Sequence, residues 1–98
     1  MLKHIVLFKI PDSKQDKSKV ISILKDKLES LKSKIPELKK LETGVNISDR
    51  VSAFDLALVT EFENETDLEA YRIHPDHQEV VYYIKEIGAN SVVVDYKN

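Results

Sequence analysis

The chain has 98 residues, and 15 basic against 17 acidic ones leave a formal net charge of −2. That length argues for one core rather than two, and the near balance of charge counts against nucleic acid as a partner. The absence of cysteine excludes disulfides, zinc–thiolate sites and thiol nucleophiles, and the two glycines are too few for a phosphate-binding glycine loop. No apolar run approaches the roughly 20 residues of a membrane span, and the apolar stretch at the start is too short for a signal peptide. The expectation is one cytoplasmic domain over residues 1–98, with no membrane or nucleic-acid partner.

Residues 2–10 read as a strand, because Ile5, Val6, Leu7 and Phe8 are all strand formers. The run is apolar on both faces, which suggests cover on both sides, and Pro11 stops it. Ser13 with Asp16 resembles a capping box ahead of a helix over residues 15–34. Val20, Leu24, Leu28, Leu31 and Ile35 recur at helical steps and form one apolar stripe. Lysines fill the opposite side, from Lys14 to Lys34. Asp16, Asp26 and Glu29 are interleaved with them, so this is a solvated face rather than a basic stripe. Pro36 closes the helix.

Residues 40–47 alternate, with Leu41, Thr43, Val45 and Ile47 on one side, and form a second strand. Gly44 inside it suggests a bulge or a close backbone approach. A turn at Ser48-Asp49-Arg50 leads to a third strand over residues 53–63. Asn64 caps a short helix from Glu65 to about Arg72, which His74-Pro75 breaks. The next helix runs from Pro75 to about Ile87 and buries Val80, Val81, Ile84 and Ile87. Tyr82 and Tyr83 read as packing or dimer-contact residues, and Gly88 suits the position just past the helix end. Ser91–Tyr96 is the last strand.

The order βαββαβ is the plan of a ferredoxin-like α+β protomer: a four-stranded antiparallel sheet with its helices on one face. Strands one, three and four are apolar on both faces, and no further element remains to cover the second face. A large wet apolar sheet is not tolerated in a soluble monomer. The expected repair is a twofold homodimer that packs sheet on sheet, a dimeric α/β barrel.

Chemistry concentrates in Tyr71-Arg72-Ile73-His74-Pro75-Asp76-His77, which holds two of the three histidines at a helix break. An imidazole moves protons near neutral pH, and a phenol can donate to a carbonyl oxygen as it turns into an enolate. His77 precedes Val80 and Val81 by three and four residues, so it points toward the buried side of its helix. Its second nitrogen needs a partner, and Asp95, a carboxylate in an otherwise apolar strand, is the candidate. The plainer reading is that these residues cap helices and satisfy backbone groups at the kink. A metal held by His74 and His77 is disfavoured, because Pro75 interrupts their helix and no third ligand stands out beyond Asp76. His4 is in phase with Val6 and Phe8; it is either a core histidine or a pocket residue that meets His77.

Lys3-His4-Ile5-Val6-Leu7-Phe8-Lys9 resembles the opening of the stress-responsive dimeric α/β-barrel, or Dabb, family. The likeness continues through Gly44-Val45-Asn46, Asp55-Leu56-Ala57-Leu58-Val59, Tyr71-x-x-His74-Pro75-x-His77 and Val94-Asp95-Tyr96, in the family's order and over nearly the whole chain. The resemblance implies a protomer that dimerises through its sheets. Most bacterial members have no assigned reaction. A plant member, olivetolic acid cyclase, closes a polyketide chain by aldol condensation, using the tyrosine and second histidine of this segment. Carried over, His77 is the base, Asp95 orients it, Tyr71 holds the carbonyl oxygen, and His4, Leu56 and His74 line the substrate pocket. Leu56 stands where that cyclase has a histidine, so its polyketide substrate does not transfer. Related barrels include haem-degrading monooxygenases, which rely on a tryptophan that this chain lacks.

The resulting expectation is a domain of unassigned reaction that binds a small carbonyl compound for cyclase- or lyase-like proton transfer, without cofactor or metal. The alternative is a non-catalytic, stress-related dimeric binding or structural protein. Whether the chain is an enzyme stays open at this point.

Overall fold

A computed structural model describes residues 1–13 and 16–98. Four strands, β1 (Leu2–Lys9), β2 (Lys40–Val45), β3 (Leu56–Phe62) and β4 (Asn90–Lys97), form one antiparallel sheet in the order β2-β3-β1-β4. Three helices pack on it: α1 (Lys17–Ser30), α2 (Glu65–Ile73) and α3 (Pro75–Glu86). This is the ferredoxin-like architecture, with the second helical segment split in two at His74. No helix among the described residues is long and apolar enough to cross a membrane.

Strand alternation decides which residues meet the helices. Leu2, Val6 and Phe8 of β1 and Leu56, Leu58 and Phe62 of β3 point inward and are buried. The α1 stripe meets them: Leu24 and Leu28 are buried, and Leu31 and Ile35 continue the seam through a 3-10 turn over Leu31–Ser33. That tighter turn ends the α-helix at Ser30, before Pro36 is reached.

The helix start differs from the capping box expected at Ser13. Asp16 itself is the N-cap: it sits in the left-handed region at φ 54°, and its carboxylate accepts from the Lys19 amide at 3.3 Å. Asp tolerates that conformation better than most side chains and supplies the missing acceptor as well. The expected start at residue 15, and Lys14 of the lysine face, lie outside the described residues. Lys17 then reaches Asp12 at 2.6 Å and Asp55 at 3.4 Å. Asp55 also accepts from the Ile10 amide at 2.7 Å, so the start of α1, the end of β1 and the entry to β3 are tied together.

β2 and β3 are shorter than expected. The Asn46 side chain accepts from the Ser48 amide at 2.9 Å and donates to the Ser48 carbonyl at 2.7 Å, which turns the chain out of the strand. Ile47 and Val51 consequently stand fully in water on the loop, and Ile47 does not extend the β2 alternation. Gly44 makes neither a bulge nor a close approach. The β2–β3 register runs through it unbroken, and a Cβ there would meet nothing within 4 Å.

Asn64 caps α2 as expected, accepting from the Asp67 amide at 2.9 Å. α3 ends in Ile87 and Gly88, the latter at φ 71°, a conformation that glycine adopts without strain. Tyr83 packs against the core with the Lys27 ammonium 4.9 Å from its ring centroid, while Tyr82 is largely exposed.

β1 is covered by helices on one face only. On the other, Leu7 pairs with Val92 and Ile5 with Val94 across the β1–β4 register, and Tyr96 lies on the same side. Val92 and Val94 are 51% and 60% exposed, so a contiguous apolar strip is left in water.

Candidate functional site

A cavity of about 370 Å³ lies between α3 and the inner face of β1 and β4. Its size is in the range of small-molecule sites. His4, Val6 and Phe8 supply the β1 part of its floor, and Ser91 and Val93 the β4 part. His77, Val81, Ile84 and Lys85 look into it from α3, and Tyr71 closes one end.

Tyr71 brings a phenol to the cavity. It is completely buried, with Phe62 at 5.0 Å, His77 at 4.3 Å and His4 at 6.3 Å between ring centroids. Its hydroxyl has no hydrogen-bond partner among the described residues. An orphaned buried hydroxyl costs about 1–3 kcal/mol. Burial pushes its ionisation far above the ordinary phenol range, so the group stays protonated and donates.

His77 owes its position to the helix break. α2 ends at Ile73, and the Arg72 carbonyl, freed from the helical ladder, receives His77 Nδ1 at 3.1 Å. A carbonyl only accepts, so Nδ1 carries the hydrogen and Nε2 keeps its lone pair. The Gln78 side chain donates from Nε2 to the same carbonyl at 2.5 Å and steadies it. Burial lowers the pKa of His77 below the ordinary imidazole value, opposed by the bond to Arg72 and assisted by His4, Arg72 and His74. The ring is therefore a neutral base at pH 7.

Asp95 does not orient His77. It contacts His4, whose Nδ1 donates to Oδ1 of the carboxylate. The cause is register: His4 and Asp95 are directly opposed on β1 and β4, on the same face of the sheet. Of the residues expected in the site, His4, Tyr71 and His77 come together around one cavity, with Asp95 behind His4.

Leu56 and His74 are not in that cavity. Leu56 is buried between Phe8 and Val45 in the register, and Leu58 lines the cavity instead. Leu56 contributes to a separate hollow of about 410 Å³ beside the β2–β3 loop, which has no titratable group in its lining. His74 is spent on the backbone: it is the N-cap of α3, and its Nδ1 accepts from the Asp76 amide at 3.1 Å. Among the described residues no three His, Asp or Glu side chains converge where a metal ion could sit. Lys85 was missed at the sequence level. Its signal was available, since it follows Val81 by four residues on the helix that carries His77.

A four-stranded antiparallel sheet with its helices on one side and a small imidazole- and phenol-lined cavity beneath them defines a ferredoxin-like α+β domain. The chain belongs to the stress responsive A/B barrel domain family, whose model matches residues 2–98. It is 34% identical over 98 residues to an uncharacterized protein of Streptomyces coelicolor, covering 99% of both chains. A dimeric ferredoxin-like protein of unknown function from Bacteroides fragilis is 33% identical, with a TM-score of 0.88 over 99% of this chain and 95% of that one. A hydroxynitrile lyase from Passiflora edulis shares the fold at 21% identity, with a TM-score of 0.82 over 97% of this chain and 90% of that one.

Proposed function

We propose that this chain binds a carbonyl compound in the α3 cavity and moves a proton at the carbon beside the carbonyl, using no cofactor. The observation that carries this reading is the Tyr71 hydroxyl, which is fully buried, unpartnered and set against His77. A carbonyl oxygen supplies the acceptor that the hydroxyl lacks. His77 Nε2 takes the proton from the neighbouring carbon, and the electron pair moves onto the oxygen. Tyr71 stabilises the resulting enolate through its O–H, and His77 returns the proton to the product. The same two groups serve carbon–carbon bond formation or cleavage beside a carbonyl, the class that includes cyclases and lyases. His4, fixed by Asp95, is a second imidazole wall and keeps its ring orientation through that bond. A hydroxynitrile lyase is among the proteins of like fold, which is in keeping with a lyase-like reading.

We also assign the outer strip of Leu7, Val92, Val94 and Tyr96 to a homodimer interface. The Bacteroides fragilis relative is dimeric, and an apolar strip of this kind is a recognised mark of association. A dimer formed there leaves the α3 cavity on the opposite side of the sheet.

The test is solvent deuterium exchange into a methyl ketone such as nonanone, followed by NMR. The intact chain is expected to accelerate exchange at the carbons flanking the carbonyl. His77→Gln and Tyr71→Phe are each expected to reduce the enzyme-dependent rate by about a hundredfold or more. No acceleration above buffer, or full acceleration by both variants, rejects the proposal.

A further inference from the structure

The cavity is a trough with different chemistry at its two ends. His77 and Lys85 are eight residues apart on α3, about 12 Å along the helix axis. The floor runs the same way: from His4, opposite Asp95, to Phe8, opposite Ser91. Because α3 leads through Gly88 directly into β4, its C-terminal end lies over the Phe8–Ser91 end of that floor. Tyr71, His77 and His4 thus occupy one end, and Lys85 and the Ser91 hydroxyl the other. Val6, Val93 and Val81 line the stretch between them.

The far end is cationic. Among the described residues no Asp or Glu lines the trough, and none lies within ion-pair distance of Lys85. Arg72, which also borders the trough, is at the opposite end and is already paired with Glu69 at 2.5 Å. Lys85 is exposed to solvent and borders the apolar trough, an arrangement suited to holding an anion whose tail is buried. One ammonium and one hydroxyl match the two oxygens of a carboxylate. A phosphate monoester would bring a second charge with no second cation at that end.

We infer that Lys85 anchors a carboxylate, so that the ligand is a medium-length keto acid with its anion at Lys85, its chain along the valines and its carbonyl at Tyr71. This specifies the substrate class of the site proposed above and rests on that reading. The spacing acts as a ruler. Acids too short to reach from Lys85 to Tyr71 cannot engage both ends at once.

Calorimetric titration of the full chain with two probes tests this. One is oxononanoate with its methyl ketone at the end opposite the carboxylate; the other is nonanone, which has the ketone alone. The acid is expected to bind at least about tenfold more tightly. Lys85→Met is expected to abolish that advantage, so that the acid binds no more tightly than nonanone, while Lys85→Arg retains it. Equal affinity for the two probes, an advantage that survives in Lys85→Met, or no binding of either overturns the inference. Tyr71→Phe separates it from the parent reading. If Tyr71→Phe weakens neither probe while Lys85→Met still abolishes the preference, the carbonyl role of Tyr71 fails and the anion anchor stands.

Discussion

The two faces of this sheet are built from the same strands, alternate residue by alternate residue, and carry different chemistry. In β1, Leu2, His4, Val6 and Phe8 face the helices, while Lys3, Ile5 and Leu7 face away. In β4, Asp95, Val93 and Ser91 point to the helix side, and Tyr96, Val94 and Val92 to the other. The inner face carries polar pairs, His4 against Asp95 and the Thr60 hydroxyl donating to the His4 carbonyl at 3.1 Å, and the unpartnered Tyr71 hydroxyl of α2 lies on the same side. The outer strip has no such pairs, and its side chains are aliphatic or aromatic. A period of two thus separates the face of the proposed site from the face of the proposed interface within four strands.

The comparison breaks most sharply on the outer face. Val94→Glu places a charge in the middle of the proposed interface, where desolvation without a partner costs several kcal/mol. Sedimentation velocity at micromolar concentration is expected to show a single-copy species for the variant and a dimer for the unaltered chain. The His77 and Tyr71 resonances are expected to stay unchanged, since the cavity is on the other side. A dimer that persists, or a cavity that collapses with it, means the two faces are not separable as described.

Tyr71→Phe sharpens the contrast from the inner face. In a purely structural core, trimming a buried side chain destabilises. Here the lost oxygen is unpartnered and buried, so its removal is expected to stabilise the fold by about 1–2 kcal/mol. In a domain of this size that raises the melting temperature by roughly 4–8 °C per kcal/mol. The same variant loses ketone exchange. Stability gained together with activity lost marks a group kept for function. A drop in melting temperature would mean that the hydroxyl has a partner in solution.

The architecture was legible in the sequence, and the pairing inside the site was not. The Val20–Leu24–Leu28–Leu31 stripe, the Asn64 cap and the Gly88 stop are local signals, each carried within a few residues, and the structure keeps all of them. The partner of Asp95 is a register property linking residues 91 apart in the chain. Matching a histidine to the nearest unexplained carboxylate led to His77. Following the inward phase of β1 and β4 as neighbouring strands would have led to His4. Leu56 was misplaced for a related reason, because a likeness at one strand position does not say which inward residue of that strand meets the cavity. The ends of β2 escaped because the Asn46 side chain, not hydrophobic alternation, turns the chain.

Asn64→Ala isolates the helical scaffold from both faces. It removes one acceptor at the start of α2 and is expected to cost about 1 kcal/mol in urea unfolding. Neither the dimer nor the probe affinities should shift. A large loss of ketone exchange in this variant would mean that α2 holds Tyr71 by its N-terminal anchoring rather than by packing on Phe62.

The smallest effect is also specific to His77. Its pKa is depressed in the folded chain, so on acidification the unfolded chain takes up a proton first, near the ordinary imidazole value of about 6.5. The folded chain binds fewer protons in that window, and its stability falls as the pH drops from about 6.5 toward the lowered folded value. Above that window the contribution is complete and constant. Urea midpoints measured through this range are therefore expected to decline on the acid side, and His77→Gln, which cannot titrate, should remove part of that slope. Ketone exchange by the unaltered chain should likewise hold its neutral-pH rate to below the ordinary histidine value, because the base stays unprotonated. An exchange profile that falls off at or above about 6.5 would mean that the imidazole of His77 is solvated and is not the base.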